Sequence, residues 1–356
     1  MMGIKGMKMI FWSLLSVVFL IIGFLAWSSY PWSVSESTSA REIINVEPEQ
    51  MMEMDERPSV IKMLTYNIGF LYGKGSEGTG YEHREIDYYQ KSLMKVSSEI
   101  KEWNADVVCL QEVDFESSRS HKINQAEYIA RAAGYPFVAE ASSWESNYIP
   151  FPYWPLKNNF GKMKSGGAIL SKFPITDHEV TLLSKPASQP WWYNLFYLHR
   201  YFQKVTISVG DKKFSVINLH LEAFDKNDRK NQIIKLVHKI KNEKIDLVAG
   251  DFNMLPASAT KRSKFYNDDD YENDASYELM TGPGLLEVIP DEIYAKDEAQ
   301  FFTYPSWKPD RRLDYIWYKA SLKMMKAEVL SSASSDHLPL RASFQIDSPR
   351  FNPYSQ

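Results

Sequence analysis

Five short polar clusters follow apolar runs in a fixed order along the chain: Thr65-Tyr66-Asn67, Leu110-Gln111-Glu112, Asn218-Leu219-His220, Gly250-Asp251-Phe252-Asn253 and Ser335-Asp336-His337. Together they supply carboxylates, amides and two imidazoles. Hard oxygen donors of this kind suit Mg²⁺, which takes few protein carboxylates and completes its shell with water and substrate oxygens. The chemistry they point to is cleavage of phosphate esters.

Each cluster offers a specific role. Asp251 and Asn253 share a side if the backbone stays extended beyond Gly250, so a carboxylate and an amide converge to hold a water nucleophile and a phosphate oxygen. Glu112 follows an apolar strand at its carboxyl end, where α/β proteins commonly place ligands, and is the first choice for the metal. Asn67 falls on the alternating face of Ile61, Met63 and Thr65, within reach of the metal or its water if the two strands are neighbours. Val216 to Glu222 alternates, with Asn218, His220 and Glu222 on one face, and His220 is expected to donate to a phosphoryl oxygen. Asp314, on a strand with apolar residues on both sides, needs a buried donor. His337 fits that need, because a carboxylate holding one ring nitrogen leaves the other for acid–base work near neutral pH. Singly, these residues also read as strand-end caps, polar turns or surface ion pairs. Their joint occurrence at strand ends carries the catalytic reading.

The elements that must position them follow from periodicity. Val60 to Tyr66 reads as the first strand, and apolar residues at Ile86, Tyr89, Leu93, Val96, Ile100 and Trp103 recur at helical spacing. Asp106 to Gln111 is a short strand of the doubly covered kind. A helix over Asn124 to Ala133 stops at Gly134, and strands are expected at Phe137 to Glu140 and Gly167 to Ser171. Tyr201 to Val209 and Lys213 to Glu222 form a hairpin across Gly210-Asp211, followed by a helix over Asp228 to Asn242 and a buried strand at Asp246 to Ala249. Arg312 to Tyr318, Lys323 to Leu330 and Leu338 to Ile346 complete the set. Strands joined by both hairpins and helices imply an α/β sandwich of mixed sheets.

At 356 residues the chain is long enough for one large domain with a deep cleft, and its net charge of −4 argues against binding polyanions by bulk electrostatics. The single cysteine, Cys109, lies in an apolar run, which excludes a disulfide framework, cysteine-type structural zinc and, by its setting, thiol catalysis. Met9 to Trp27 is uncharged and strongly apolar, about 19 residues or about 28 Å as a helix, enough to span a bilayer. Lys5 and Lys8 precede it, and Glu36, Glu47, Glu49, Glu53 and Asp55 follow, which places the N-terminus in the cytoplasm and the rest outside. A cleavable signal peptide is the rival reading, but the apolar run is long for one and the nearest small-residue site, Thr38-Ser39-Ala40, lies well downstream. The expected order is a cytoplasmic tail over 1–8, an anchor over 9–27, an extracytoplasmic tether over 28–58, a catalytic domain over 59–346 and a tail over 347–356. The acidic run Asp268 to Asp274 matches no Ca²⁺ loop and reads as a solvated loop.

These motifs, together with Ser165-Gly166-Gly167-Ala168-Ile169-Leu170-Ser171 and Arg312-Leu313-Asp314-Tyr315-Ile316, make the span from Val60 to Ile346 resemble the endonuclease/exonuclease/phosphatase superfamily. That group includes deoxyribonuclease I, abasic-site endonucleases, inositol polyphosphate 5-phosphatases and neutral sphingomyelinases. The resemblance implies a four-layer α-β-β-α sandwich of two packed mixed sheets, and Mg²⁺, with Mn²⁺ as a substitute, held mainly by Glu112 with Asn67 nearby. It further implies that Asp251 and Asn253 organise the nucleophile, that His220 contacts the phosphate, that His337 with Asp314 transfers protons, and that Asp336 is a second metal-side carboxylate. For the phosphate-binding Tyr or Arg of some nuclease members, Tyr148, Tyr153 and Arg200 are the candidates.

The segment 144–202 is rich in Trp, Tyr and Phe among prolines, which suits a membrane interface or an accessory core under long loops. With the anchor, it makes a phospholipid or sphingolipid head-group phosphodiester the leading substrate. An exported nuclease, its aromatics stacking on bases, and a non-catalytic membrane-tethered binding module are the alternatives. No feature sets the oligomeric state, and a monomer is the working expectation.

Overall fold

The computed structural model describes residues 4–50, 58–73, 81–266 and 270–346. The first residues of the expected cytoplasmic tail, part of the tether at 51–57, Asp268 and Asp269 of the acidic run, and the expected C-terminal tail lie outside these.

The strands, numbered in chain order, are β1 (Thr38–Ala40), β2 (Ile43–Asn45), β3 (Val60–Asn67), β4 (Val107–Asp114), β5 (Phe137–Ile149), β6 (Gly161–Ser171), β7 (Ile175–Leu182), β8 (Tyr201–Val209), β9 (Lys212–His220), β10 (Leu247–Asp251), β11 (Leu285–Glu287), β12 (Asp314–Lys319), β13 (Lys323–Val329) and β14 (Leu340–Gln345). They form two sheets, ordered β1-β7-β8-β9-β10-β12-β11 and β13-β14-β3-β4-β6-β5-β2. Both are mixed: β3 runs parallel to β4 and β9 parallel to β10, while the other neighbours are antiparallel.

Alternation along the strands decides the layers. Ile61, Met63, Val107 and Cys109 of one sheet meet Val205, Val216, Leu247 and Ile316 of the other in a shared inner core. On the outside of the second sheet, Leu64, Val108 and Leu170 face Tyr89, Leu93, Val96 and Ile100 of α2 (Ile86–Trp103) and Ile129 of α3 (Gln125–Ala133). On the outside of the first, Ile217, Leu219 and Val248 face Ile233, Leu236 and Ile240 of a helix at Lys226–Asn242, whose start is capped by Asp225 accepting from the Asn227 and Asp228 amides. The result is the α-β-β-α sandwich.

Four features depart from expectation. β4 continues to Asp114, through a shift of register between Leu110 and Val113. β5 runs to Ile149 rather than stopping at Glu140, pairing with an equally extended β6, and β7 is an additional strand. Within the expected tether, residues 38–46 are fixed to the domain: β1 adds to the edge of one sheet beside β7 and β2 to the edge of the other beside β5, and Val46 is buried in the outer core. The folded domain therefore starts near Thr38, ahead of residue 59, because the exposed edges of both sheets offer unpaired backbone groups that this segment satisfies.

The N-terminal helix α1 (Ile4–Ser28) contains a stretch, Lys5–Ser28, that is long and apolar enough to cross a membrane. It either anchors the chain or serves as a signal sequence. Its last turn touches the domain: Asn147 Nδ2 donates to Trp27 O at 3.0 Å, Asn147 N donates to Tyr30 O at 2.8 Å, and the Phe24 and Tyr148 rings lie 6.1 Å apart.

Candidate active site

The C-terminal ends of β3, β9 and β10 and the start of β12 lie together at one rim of the inner core. A buried amide network fixes their register beneath that rim. Gln111 Nε2 donates to Asn218 Oδ1 at 2.6 Å and to Thr65 Oγ1 at 3.1 Å, while Asn218 Nδ2 donates to Leu110 O at 2.9 Å and Gln203 Oε1 at 3.0 Å. The network crosses from sheet to sheet, and leaving any member unpaired in this dry layer costs about 1–3 kcal/mol.

Above it, Asn67 Nδ2 donates to Glu112 Oε1 at 3.1 Å and to Asp251 Oδ2 at 3.0 Å. Its Oδ1 accepts from Gly69 N at 3.0 Å, which fixes the amide orientation. Asn67 thus holds the two carboxylates at a set separation. His337 Nδ1 lies 2.8 Å from Asp314 Oδ2, and its Nε2 is 3.7 Å from Asp251 Oδ2. His220 Nε2 is 3.6 Å from the same Asp251 oxygen and 3.9 Å from Glu112 Oε1. The Tyr304 ring lies against His337 at 4.7 Å. Glu112, Asp251, Asn253, His220 and His337 open into one cavity of about 150 Å³, walled on its apolar side by Phe70, Trp144, Leu198 and Phe224.

Two residues reach their places by left-handed backbone rather than by extended alternation. Glu112 has φ +52° at the β4 bulge, which turns its carboxylate out of the strand while the strand itself continues. Asn253 has φ +49°, its backbone N donates to Asp251 Oδ1 at 3.0 Å, and its Nδ2 donates to Leu221 O at 3.0 Å. The shared side of Asp251 and Asn253 is the product of a tight turn. Asp336 is set behind the cavity against Gly69, where a Cβ would stand 2.7 Å from Asp336 Oδ1, and Gly69 itself has φ +53°.

Of Tyr148, Tyr153 and Arg200, only Arg200 reaches the cavity. Tyr148 OH is bound to Asn159, and Tyr153 points to solvent. Arg200 is buried, its Nε directed at Glu222 Oε2 at 3.5 Å and its Nη1 2.6 Å from His220 Nε2. A guanidinium only donates, so His220 Nε2 accepts, and the proton offered to the cavity at this corner belongs to Arg200. Nε2 of His220, expected to donate to a phosphoryl oxygen, is taken up by Arg200 in this arrangement. The signal for Arg200 was a charged residue adjoining an apolar strand, but its partner Glu222 lies on the next strand's extension and could not be paired with it by spacing.

The charges are tuned to match. Burial and the cations Arg200 and His337 push His220 well below the usual imidazole range. Burial also opposes a charged His337, but the carboxylates of Asp314, Asp251 and Asp336 outweigh it and raise its pKa well above that range. Burial raises Asp251 to about 7 against the opposing pull of His337. Burial, then the negative charge of Asp336, raises Glu112.

Does this donor set fit a metal? Asp251, Asp314 and His337 present ligand atoms within 4.8 Å of one another, but Asp314 Oδ2 and His337 Nδ1 are already paired by a hydrogen bond. Glu112 and Asp336 fit better: two carboxylates whose charges oppose each other, with no lysine or arginine ion pair to either among the described residues. A divalent cation relieves that repulsion, and all-oxygen donors match Mg²⁺. Asn67, with its Nδ2 engaged by Glu112 and Asp251, would act on a cation held there only through Glu112.

Residues 64–337 match the Endonuclease/Exonuclease/phosphatase family. No curated protein matches the chain in sequence. Among solved structures, the fold is similar to an endonuclease/exonuclease/phosphatase from Beutenbergia cavernae, 18% identical over 82% of this chain and 73% of that one, with a TM-score of 0.61. It is similar to the human nocturnin catalytic domain with bound sulfate anion, 20% identical over 85% and 97%, TM-score 0.51. It is also similar to a mannosyl-6-phosphatase of Bacteroides thetaiotaomicron, 14% identical over 80% and 100%, TM-score 0.52. At these identities the likeness shows the fold, and nothing in it singles out the sphingomyelinase branch.

Proposed function

Because the chain belongs to the Endonuclease/Exonuclease/phosphatase family, whose members hydrolyse phosphoric esters, we propose that it is a membrane-anchored, Mg²⁺-dependent phosphodiesterase whose substrate is a phospholipid or sphingolipid head group. The observation that carries the reaction class is the setting of Asp251, 3.0 Å from the Asn67 amide and within 3.7 Å of both imidazoles at the floor of an open cavity. A carboxyl held near neutrality is a suitable general base. In-line attack forms one P–O bond and breaks the bond to the leaving oxygen; the water proton passes to Asp251, and the departing alkoxide takes a proton from solvent. Asn253 holds the turn that aims Asp251. His337, kept as the imidazolium by Asp314, presents Nε2–H to a phosphoryl oxygen as charge builds there, and Arg200 offers a second donor from the opposite corner, braced by His220 and Glu222. Glu112 and Asp336 would hold Mg²⁺, which when bound would supply charge neutralisation at the phosphoryl group.

Lipid is favoured as substrate by the aromatic and aliphatic wall of the cavity, by the net charge of −4 and by the apolar helix. The test uses the full chain in detergent micelles or vesicles. Mg²⁺-dependent release is compared for choline and inositol phospholipids, plasmid DNA and a soluble chromogenic diester, each with a chelator control. Lipid turnover abolished by chelation is expected; turnover of DNA without lipid turnover would overturn the substrate, and full activity in Glu112→Ala would remove the metal assignment.

A further inference from the structure

The cavity at the end of α1 lies one side chain from the active site. It has a volume of about 300 Å³, is lined by Ser29, Pro31 and Trp32 from the helix exit and by Leu195 and Tyr197 from the domain, and shares Ser143 and Trp144 with the catalytic cavity. Around it the domain shows large apolar side chains to solvent. Tyr153, Trp154 and Leu156 are 59%, 78% and 63% exposed on the loop after β5, and Trp191 and Trp192 are 70% and 52% exposed on a short helix at Trp191–Asn194. Phe224, 68% exposed, stands at the mouth of the active site.

These groups are connected through the fold. The β5 end meets α1 at Asn147 and Tyr148 just before the Trp154 loop begins. The Trp191 segment leads through Tyr193, stacked on Tyr197 at 5.3 Å, to Glu222, which accepts from Tyr197 OH at 3.0 Å and from the Phe224 amide at 3.2 Å. An exposed Trp and Tyr rim around the exit point of a membrane-length helix has the composition of the head-group layer, where an apolar ring and a polar edge are both accommodated. An isolated patch of this kind would be open to many partners. This one is continuous with a helix whose apolar side chains from Met7 to Phe24 are largely exposed.

We propose that this rim is a bilayer-docking surface. The domain lies on the membrane its own helix enters, with Trp154, Leu156, Trp191 and Trp192 seated among the head groups and the catalytic mouth at Phe224 facing the same lipid layer. The substrate phosphate is then drawn from the plane of that leaflet. The proposal rests on the lipid-hydrolase reading above, but its test reads position rather than turnover, so the two fail separately.

Cys109 is buried, so a thiol placed at the surface is labelled selectively. Full-length Trp154→Cys, Trp192→Cys and Met325→Cys proteins, each carrying a fluorophore, are reconstituted into phosphatidylcholine vesicles containing lipids with a nitroxide near the head group. Met325 is exposed on β13, at the sheet edge opposite β2 and β5, and serves as the control. Quenching at 154 and 192 is expected to exceed that at 325 by at least about twofold, because interfacial aromatics sit at head-group depth. Equal quenching at the three positions overturns the proposal. So does self-quenching between copies at 154 that persists on lipid dilution, which assigns the rim to a second copy of the chain. A response to single-stranded DNA without one to nitroxide lipid overturns it as well.

Discussion

His337 and Asp251 divide the proton chemistry because their surroundings push them to opposite tasks. Asp314 keeps His337 charged, and burial keeps Asp251 ready to accept a proton. His337→Gln is expected to lower kcat by about 10²–10³-fold with little change in KM, the range for one hydrogen-bond donor to the transition state. Asp314→Asn should follow it, since the carboxylate acts through the ring; steady-state kinetics on the soluble diester decide this. A stability effect follows from the same shifts. Both groups have folded pKa values above their unfolded ones, so the native state binds more protons and stability falls as pH rises. Their contribution is full below the unfolded values and is lost as pH climbs through about 7 for Asp251 and higher for His337. His220 is shifted downward and acts only below about 6.5, where it makes stability fall with acid. Between about pH 6.5 and 8 the signs agree. In chelator, Tm should drop across that window, and Mg²⁺ should raise Tm more at pH 8 than at pH 6.5. A Tm that climbs with pH in chelator contradicts the assignment.

At the scale of elements, the site depends on where strands stop and bend. β10 reaches its last residue through Gly250, whose φ of +149° and close approach to β9 leave no room for a side chain: a Cβ would fall 2.1 Å from Leu219 O. Gly250→Ala should therefore force β9 and β10 apart and destabilise the fold by about 1–3 kcal/mol or more, the cost typical of overpacking. Urea unfolding measures the loss, and activity should fall with it because His220 and Asp251 are a registered pair on these strands. The elements legible from sequence were those with clean periodicity, such as α2 and the β8–β9 hairpin. β7 carries Thr176, Asp177, His178 and Glu179 in succession, which breaks the apolar alternation of a strand. The extension of β5 is spelled by serines, glutamate and asparagine, and only its long antiparallel partner β6 makes it a strand.

For the whole molecule, the segment leading out of α1 closes both sheets before the first central strand begins. A chain beginning at Ser59 lacks β1, β2 and Val46, whereas one beginning at Ser33 keeps them. The shorter chain should melt at lower temperature and aggregate through its uncovered edges; scanning calorimetry and light scattering on the two compare them directly. Equal melting would mean that β1 and β2 contribute nothing to stability. The same segment leaves α1 where Asn147 donates to the Trp27 and Tyr30 carbonyls, so the end of the helix is held against the domain.

The sequence by itself determined the chemistry available, the family resemblance, the sandwich architecture and an apolar helix of membrane length, because residue type, alternation and hydropathy are local quantities. Only the tertiary structure decided how the residues meet. Asn67 bridges to Asp251 across 184 positions, Arg200 pairs with His220, and left-handed backbone at Glu112 and Asn253 aims their side chains. Contacts between distant strands and departures from regular backbone arise from close packing across the sheets, which no local pattern encodes.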